Sequence, residues 1–263
     1  MIPGNDLQVK VPAQSGITHV EGVLDPVFIA DLHLTGKKPR TLLAFLWFLR
    51  TQAKKYRELF ILGDFFEYWI GDDASEPAQP VIKALRRYTQ SGRRLYLMQG
   101  NRDFLLGDGF AKACGGTLLS EKCILTIGQT RILLAHGDQW CTLDEEYQAF
   151  RRLVRDPQWQ INALKMSVSE RIDYAKNLRG KSNAGKKVKT VQQMDVVVEA
   201  VTADAIANSC EFIIHGHTHR PASHMSEPFP RFVIPDWELD AAPVLRKGWV
   251  EINSCSLPQV VIG

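Results

Sequence analysis

Five short, β-rich apolar runs each end abruptly in a cluster of polar residues, and this repetition limits the fold more than any other feature of the chain. Val27 to Ala30 leads into Asp31-Leu32-His33, Leu59 to Leu62 into Gly63-Asp64, and Arg94 to Met98 into Gly100-Asn101-Arg102-Asp103. Arg131 to Ala135 leads into His136-Gly137-Asp138, and Glu211 to Ile214 into His215-Gly216-His217-Thr218-His219. Helical stretches at Thr41 to Lys55 and Val81 to Thr89 separate the first three runs. Strand and helix therefore alternate, as in a layered α/β domain. Further β-like runs follow at Arg231 to Ile234, Gly248 to Ile252 and Gln259 to Ile262. Ligands bind outside the carboxyl ends of the strands in such sheets, so five polar strand ends point to one site.

Residues 144–208 follow another pattern. Tyr147, Phe150 and Val154 share one helical face; Ile161, Leu164, Val168, Ile172 and Ala175 a second; Val191, Met194, Val198, Val201 and Ala205 a third. A helical insertion is expected here, with Pro157 opening its middle helix and residues 179–187 forming a basic loop. The core is then 27–143 and 209–263, preceded by an extension over 1–26. The chain's net charge is only +3, yet between Asp144 and Lys189 eleven basic residues face six acids. That segment is +5, which suggests an anionic partner.

Each polar cluster alone is a weak signal, because a single Asp after a strand is usually a turn residue or a helix cap. Together, Asp31, His33, Asp64, Asn101, His136, His217 and His219 supply only oxygen and imidazole donors. That set suits divalent ions such as manganese, zinc or iron, and no Cys lies in these motifs to suggest a thiolate site. Seven donors exceed one tetrahedral ion. They suit two ions sharing a bridging carboxylate, with positions left for water and substrate.

The order D-x-H, G-D, G-N-R-D, H-G-D and G-H-T-H resembles the calcineurin-like metallophosphoesterases. The resemblance implies a two-sheet β-sandwich flanked by helices, with a binuclear metal site at one end. Longer stretches, Phe28 to Leu34, Leu62 to Asp73, Gly100 to Gly107 and His215 to Pro221, are similar to the UDP-2,3-diacylglucosamine hydrolases of lipid A synthesis. So are Cys141-Thr142 before Asp144, the run Tyr147 to Arg151, and the insertion between the fourth and fifth motifs. This implies that Asp31, His33, Asp64 and His219 hold one ion and that Asp64, Asn101, His136 and His217 hold the other, with manganese the expected metal. Asp64 would be the bridge. Arg102 would donate to a phosphate oxygen, and Asp103 and Asp138 would orient neighbouring ligands. Asp64, Asn101, Arg102 and His136 are thus the catalytic candidates.

The insertion resembles that family's lid over the acyl chains. Asn101, Arg102, Asp144, Ser182, Lys186, Lys189 and His217 fall where the family contacts substrate, although Lys186 replaces a shorter amide side chain. Phe150, Trp159, Ile161, Leu164 and Met166 are candidates for an apolar groove. The implied reaction is hydrolysis of UDP-2,3-diacylglucosamine to UMP and 2,3-diacylglucosamine 1-phosphate; a soluble nucleotide diphosphate or phosphodiester is the alternative substrate.

Several classes are disfavoured. The longest apolar run, Leu42 to Leu49, falls short of the roughly 18 residues of a membrane span. It reads as a buried helix. The first 26 residues lack a secretory pattern, so a cytoplasmic monomer, peripherally attached to the inner membrane, is expected. Five cysteines without a C-x-x-C pair do not form a disulfide framework. Nucleic acid is not an expected partner, because the basic segment has only Trp159 and Tyr174 between Leu153 and Lys189. His19 and His224 read as solvent residues, and His215 as either a packed residue or a neighbour of the ligands.

Overall fold

The computed structural model describes residues 16–186, 189–190, 192–241, 245–253 and 257–263, with backbone alone at 179 and 181–186. Twelve strands lie among them: β1 (Ile17–Val20), β2 (Pro26–Ile29), β3 (Glu58–Leu62), β4 (Arg94–Met98), β5 (Thr117–Leu118), β6 (Lys122–Ile127), β7 (Thr130–Ala135), β8 (Phe212–His215), β9 (Ala222–His224), β10 (Arg231–Val233), β11 (Gly248–Ile252) and β12 (Pro258–Ile262). The α-helices are α1 (Pro39–Thr51), α2 (Gln79–Gln90), α3 (Asp108–Cys114), α4 (Glu145–Val154), α5 (Pro157–Lys165), α6 (Val168–Lys186) and α7 (Val198–Ala207).

The strands form two six-stranded sheets, in the orders β1-β6-β7-β8-β10-β9 and β12-β11-β2-β3-β4-β5. Alternation of side chains along each strand builds the layers. Phe28, Ala30, Phe60, Leu62, Tyr96 and Met98 point inward against Cys123, Leu125, Ile132, Leu134 and Ile214 of the facing sheet. Their neighbours Val27, Ile29, Leu59, Ile61, Leu95 and Leu97 pack outward under α1, α2 and α3. On the opposite side, Ile124, Leu133, Ala135 and Ile213 pack with Trp140, Val201 and Ala205. Strands buried on both faces explain why β2, β3 and β4 are continuous apolar runs. These three are parallel, so their carboxyl ends emerge at one edge.

Three local expectations are corrected. Residues 179–186 continue α6 instead of forming a loop; their Lys, Arg, Asn and Ala are tolerated in a helix, at about 1 kcal/mol for a glycine such as Gly180. The middle helical face is broken between α5 and α6, where Ser167 and Glu170 form a capping box: Ser167 N donates to Glu170 Oε2 at 2.8 Å, and Glu170 N to Ser167 Oγ at 3.3 Å. The third helix begins only at Val198, after β-branched Val196 and Val197, whose backbone N–H donates to the Trp140 carbonyl at 2.9 Å. Pro157 does open α5, with Asp156 accepting from Trp159 N. Ile17–Val20, within the expected extension, pairs with β6 along a sheet edge.

Candidate metal centre

The seven donor residues, from five strand ends, meet at one end of the sandwich. The backbone is bent hard to bring them there. Six non-glycine residues among those described have positive φ, and five are ligand candidates: Asp31 (56°), His33 (48°), Asp64 (49°), His217 (69°) and His219 (54°). Each left-handed residue costs about 1 to 3 kcal/mol, and such strain collects at functional sites.

Two imidazole groups face the two oxygens of one carboxylate. Asp64 Oδ2 lies 3.8 Å from His33 Nδ1, and Asp64 Oδ1 lies 3.6 Å from His136 Nε2. On the first side, His33 Nε2 and His219 Nε2 are 3.1 Å apart. Asp31 Oδ1 is 3.3 Å from His219 Nε2 and 3.9 Å from His33 Nε2. On the second, Asn101 Oδ1 is 3.0 Å from His136 Nε2 and 2.9 Å from His217 Nδ1.

The donor set fits divalent cations. His136 Nδ1 lies 2.9 Å from the Leu62 carbonyl, an acceptor only, so that nitrogen carries the proton and donates. When His136 is neutral, its Nε2 lone pair faces the oxygens of Asn101 and Asp64. Converging lone pairs need a cation or a second proton between them. Asp31 Oδ1 is buried and accepts no well-aligned hydrogen bond among the described residues. His217 is held neutral: burial pushes its pKa down to about 3, and His136 adds to the shift. A neutral imidazole is the metal-binding form.

Other buried charges fix the loops. Burial and then Asp64 raise the Asp103 carboxyl to about 6, although it accepts from Gly100 N at 2.7 Å and Phe65 N at 2.8 Å. It thereby ties the loop after β3 to that after β4. Arg102 Nε lies 3.3 Å from Asp64 Oδ2, and Arg102 Nη1 pairs with Glu67. Burial alone would raise Asp138, but Arg151, His136 and Arg155 outweigh it and hold the carboxyl well below the usual range. Asp138 accepts from Arg151 Nε at 2.9 Å and from the Tyr147 hydroxyl, and the Tyr147 ring stacks on His217 with centroids 6.1 Å apart. Asp138 thus anchors α4 to the donor cluster.

Asp138→Asn should lower stability by about 2 kcal/mol, measured by urea unfolding, because the Arg151 guanidinium loses its buried counter-charge and keeps only half-buried Glu121, 2.7 Å away. Its depressed pKa makes this stabilisation present above the ordinary carboxylate value of about 4 and progressively lost at lower pH. The variant should show the shallower acid dependence.

A cavity of about 630 Å³ opens beside the donors, with Asp64, Asn101, Arg102, His217 and His219 at its wall. It continues between the core, through Trp69, Ile70 and Phe104, and the insertion, through Phe150, Trp159, Met166, Tyr174 and Leu178. Phe150, Trp159 and Met166 therefore line it; Ile161 and Leu164 do not, and Leu164 is partly buried against the outer apolar cluster, close to Gly71. Asp144 and Lys189 also line it, joined by two contacts of 2.8 Å, while Asp144 caps α4. The side chains of Ser182 and Lys186 lie outside the described residues.

Sequence reasoning passed over Asp236, Tyr147 and Glu67 as site residues. Asp236 Oδ2 lies 3.5 Å from His219 Nδ1 and directs the other ring nitrogen towards Asp31. Its signal was weak: it follows the β-run ending at Ile234 but carries no second polar ligand type. Among the described residues, Asp31, His33 and His219 form one ligand group and Asp31, Asp64 and His136 another, each with its atoms within 4.8 Å.

The sequence profile of the calcineurin-like phosphoesterases matches residues 26–221. A UDP-2,3-diacylglucosamine hydrolase of Chromohalobacter salexigens is 42% identical over 236 residues, covering 84% of this chain and 96% of the relative. That of Pseudomonas putida is 41% identical over 230 residues, covering 85% and 92%, and that of Bordetella parapertussis 42% over 236, covering 87% and 92%. The family implies divalent metal, which the converging oxygen and imidazole donors accommodate. With the profile spanning all five strand-end motifs and the helical insertion between them, and these relatives aligned over most of the chain, the chain belongs to the calcineurin-like phosphoesterases, within them to the UDP-2,3-diacylglucosamine hydrolases.

Proposed function

We infer that the chain hydrolyses the diphosphate of UDP-2,3-diacylglucosamine, giving UMP and 2,3-diacylglucosamine 1-phosphate, as a step of lipid A synthesis. The observation carrying this reading is the cavity itself, which starts at the donor cluster and runs on between apolar walls of core and lid. A water-soluble nucleotide would need no such extension. Water adds to the α-phosphorus, the bond to the bridging oxygen breaks, and that oxygen leaves with the sugar phosphate. The leaving group is already a phosphate, so little acid help is needed.

Asp31, His33, Asp64 and His219 would hold one divalent cation, and Asp64, Asn101, His136 and His217 the other, with manganese the proposed pair. Such cations supply charge that polarises the phosphoryl oxygens and acidifies an attacking water. The protein orients the rest. Arg102, held between Asp64 and Glu67, lines the cavity and would bind a phosphate oxygen with its remaining donors. Asp144 would hold Lys189 at the wall for the anionic part of the substrate, with Ser182 and Lys186 as further contacts. Asp236 and the Leu62 carbonyl fix the imidazole tautomers.

We place residues 144–208 as the lid on a core of 27–143 and 209–263, and the working protein as a monomer on the cytoplasmic face of the inner membrane. No helix among the described residues is long and apolar enough to cross a membrane. Attachment would therefore be peripheral.

The test is turnover in detergent micelles by chelator-stripped protein with manganese restored, beside a generic phosphodiester. UMP release from the lipid should far exceed cleavage of the ester. Cleavage of the ester alone would overturn the lipid assignment. Trp159 packs against Phe104 and Tyr174, with centroids 5.9 and 6.0 Å away, and so joins core to lid across the cavity. Trp159→Ala should reduce kcat/KM for the lipid by about tenfold or more, mainly through KM.

A further inference from the structure

The exposed face of α1 differs from what its sequence suggests. Its apolar run reads as buried all round, yet Leu43 is 64% and Trp47 51% exposed. Together with Arg40 and Arg50 they form one outward stripe at spacings of three and four, and Lys54 follows in the turn after the helix, all exposed. The inward face is complete without them, through Phe45, Phe48 and Leu49. Lys247 places its ammonium 5.2 Å from the centroid of the Trp47 ring, and exposed Leu245 lies two residues before it.

Along the chain, the charge of this stretch has one sign. Between His33 and Glu58 the chain has seven basic residues and no acid, a stronger local imbalance than that of the lid. Lys38 is neutralised by Glu238, and Asp240 caps the first turn through Arg40 N and Thr41 N, both at 2.9 Å. Arg50 and Lys54 stand beyond these acids, at the other end of the stripe. A Trp and a Leu flanked by cations match the interfacial zone of an anionic bilayer, where an indole bridges apolar and wet layers and basic side chains meet lipid phosphates. A second copy fits less well, since a two-fold contact would press like charges together.

We propose that the Leu43/Trp47 face of α1, rimmed by Arg40, Arg50, Lys54 and Lys247, is the surface by which this protein docks on anionic lipid. The first turn of the helix is tied to a loop that reaches the metal centre. Lys38 and Thr41, in and before its first turn, bond the loop of Glu238 and Asp240, which also carries Asp236 against His219. The purpose of docking rests on the lipid-substrate reading, whereas its measurement does not.

The test is co-sedimentation of the full chain with phosphatidylcholine vesicles, with and without phosphatidylglycerol, at low and high salt. Wild type should partition at least about tenfold better onto the anionic vesicles, with the gain removed by salt. Leu43→Ser/Trp47→Ser and Arg50→Glu/Lys54→Glu should each lose about tenfold or more. Both variants should keep the wild-type melting temperature and generic-ester turnover, because all four positions are exposed and outside the site. Wild-type vesicle binding by both variants would overturn the proposal and leave the basic lid as the carrier. So would absence of vesicle binding, or a concentration-dependent dimer that Leu43→Ser/Trp47→Ser abolishes. Failure of the substrate reading would register separately, in the micelle assay, with vesicle docking intact.

Discussion

Asp64→Ala should lower turnover by at least about a thousandfold while leaving the protein folded. Asp64 is the carboxylate whose two oxygens face the His33 and His136 sides separately, at 3.8 and 3.6 Å, and it accepts from Arg102 N at 2.8 Å. Its loss removes the group joining the two ligand sets. It also leaves the Arg102 guanidinium with Glu67 alone of its two carboxylate partners. The fold should survive because Asp31, Asp64 and Asp103 are all buried. Burial and Asp31 push the Asp64 carboxyl upward, and burial and Asp64 push Asp103 to about 6. Removing one of three crowded carboxylates relieves repulsion in the metal-free protein. Chelator-stripped Asp64→Ala should therefore melt no lower than stripped wild type. Manganese at a hundredfold excess over its Kd would stabilise wild type by about 2.7 kcal/mol, and the variant should lose that gain. His136→Ala should behave alike in turnover. Near-normal turnover by either variant would refute the site.

The donors were legible because each follows a strand buried on both faces, where an apolar run must stop. The backbone that aims them was not. Positive φ at Asp31, His33, Asp64, His217 and His219 leaves no mark in composition, since the strain is imposed by packing between strand ends. The insertion's helical character was legible from its period, but its breaks were not. Ser167 and Glu170 carry a capping signal that the apolar spacing of Leu164 and Val168 conceals. The outer face of α1 was misread for a related reason. A run such as Leu42 to Leu49 has no polar residue to mark which side meets water, and only the position of the sheet exposes Leu43 and Trp47. Asp236 was missed because one acid after a strand is usually a turn residue.

Gly100→Ala should damage the site severely although it changes no donor. Strands β3 and β4 must end close enough for Asp64 and Asn101 to share one cluster, and two glycines face each other there. A Cβ on Gly63 would lie 2.7 Å from Gly100 Cα and 2.6 Å from His136 Nδ1, at a φ of +86° that already disfavours a side chain. A Cβ on Gly100 would fall well inside 3.0 Å of both the Asp64 carboxylate and its backbone nitrogen. Neither can yield. The carboxylate is buried, and the nitrogen belongs to a loop whose N–H groups converge on Asp103. Overpacking of this kind costs about 1 to 3 kcal/mol, and displacing a reacting group by about 1 Å can cost a hundredfold in rate. Gly100→Ala should thus lower kcat at least about a hundredfold and weaken manganese binding, read by calorimetric titration. Gly216→Ala should act similarly from the other side, where its Cβ would strike Asp31 and lie 2.7 Å from Ala30 Cβ. Gly36, with nothing within 4 Å of an added Cβ and no left-handed φ, supplies the control. Gly36→Ala should keep wild-type turnover and metal affinity; if Gly100→Ala matched it in both, the close approach of β3 and β4 would not be what holds Asp64 in place.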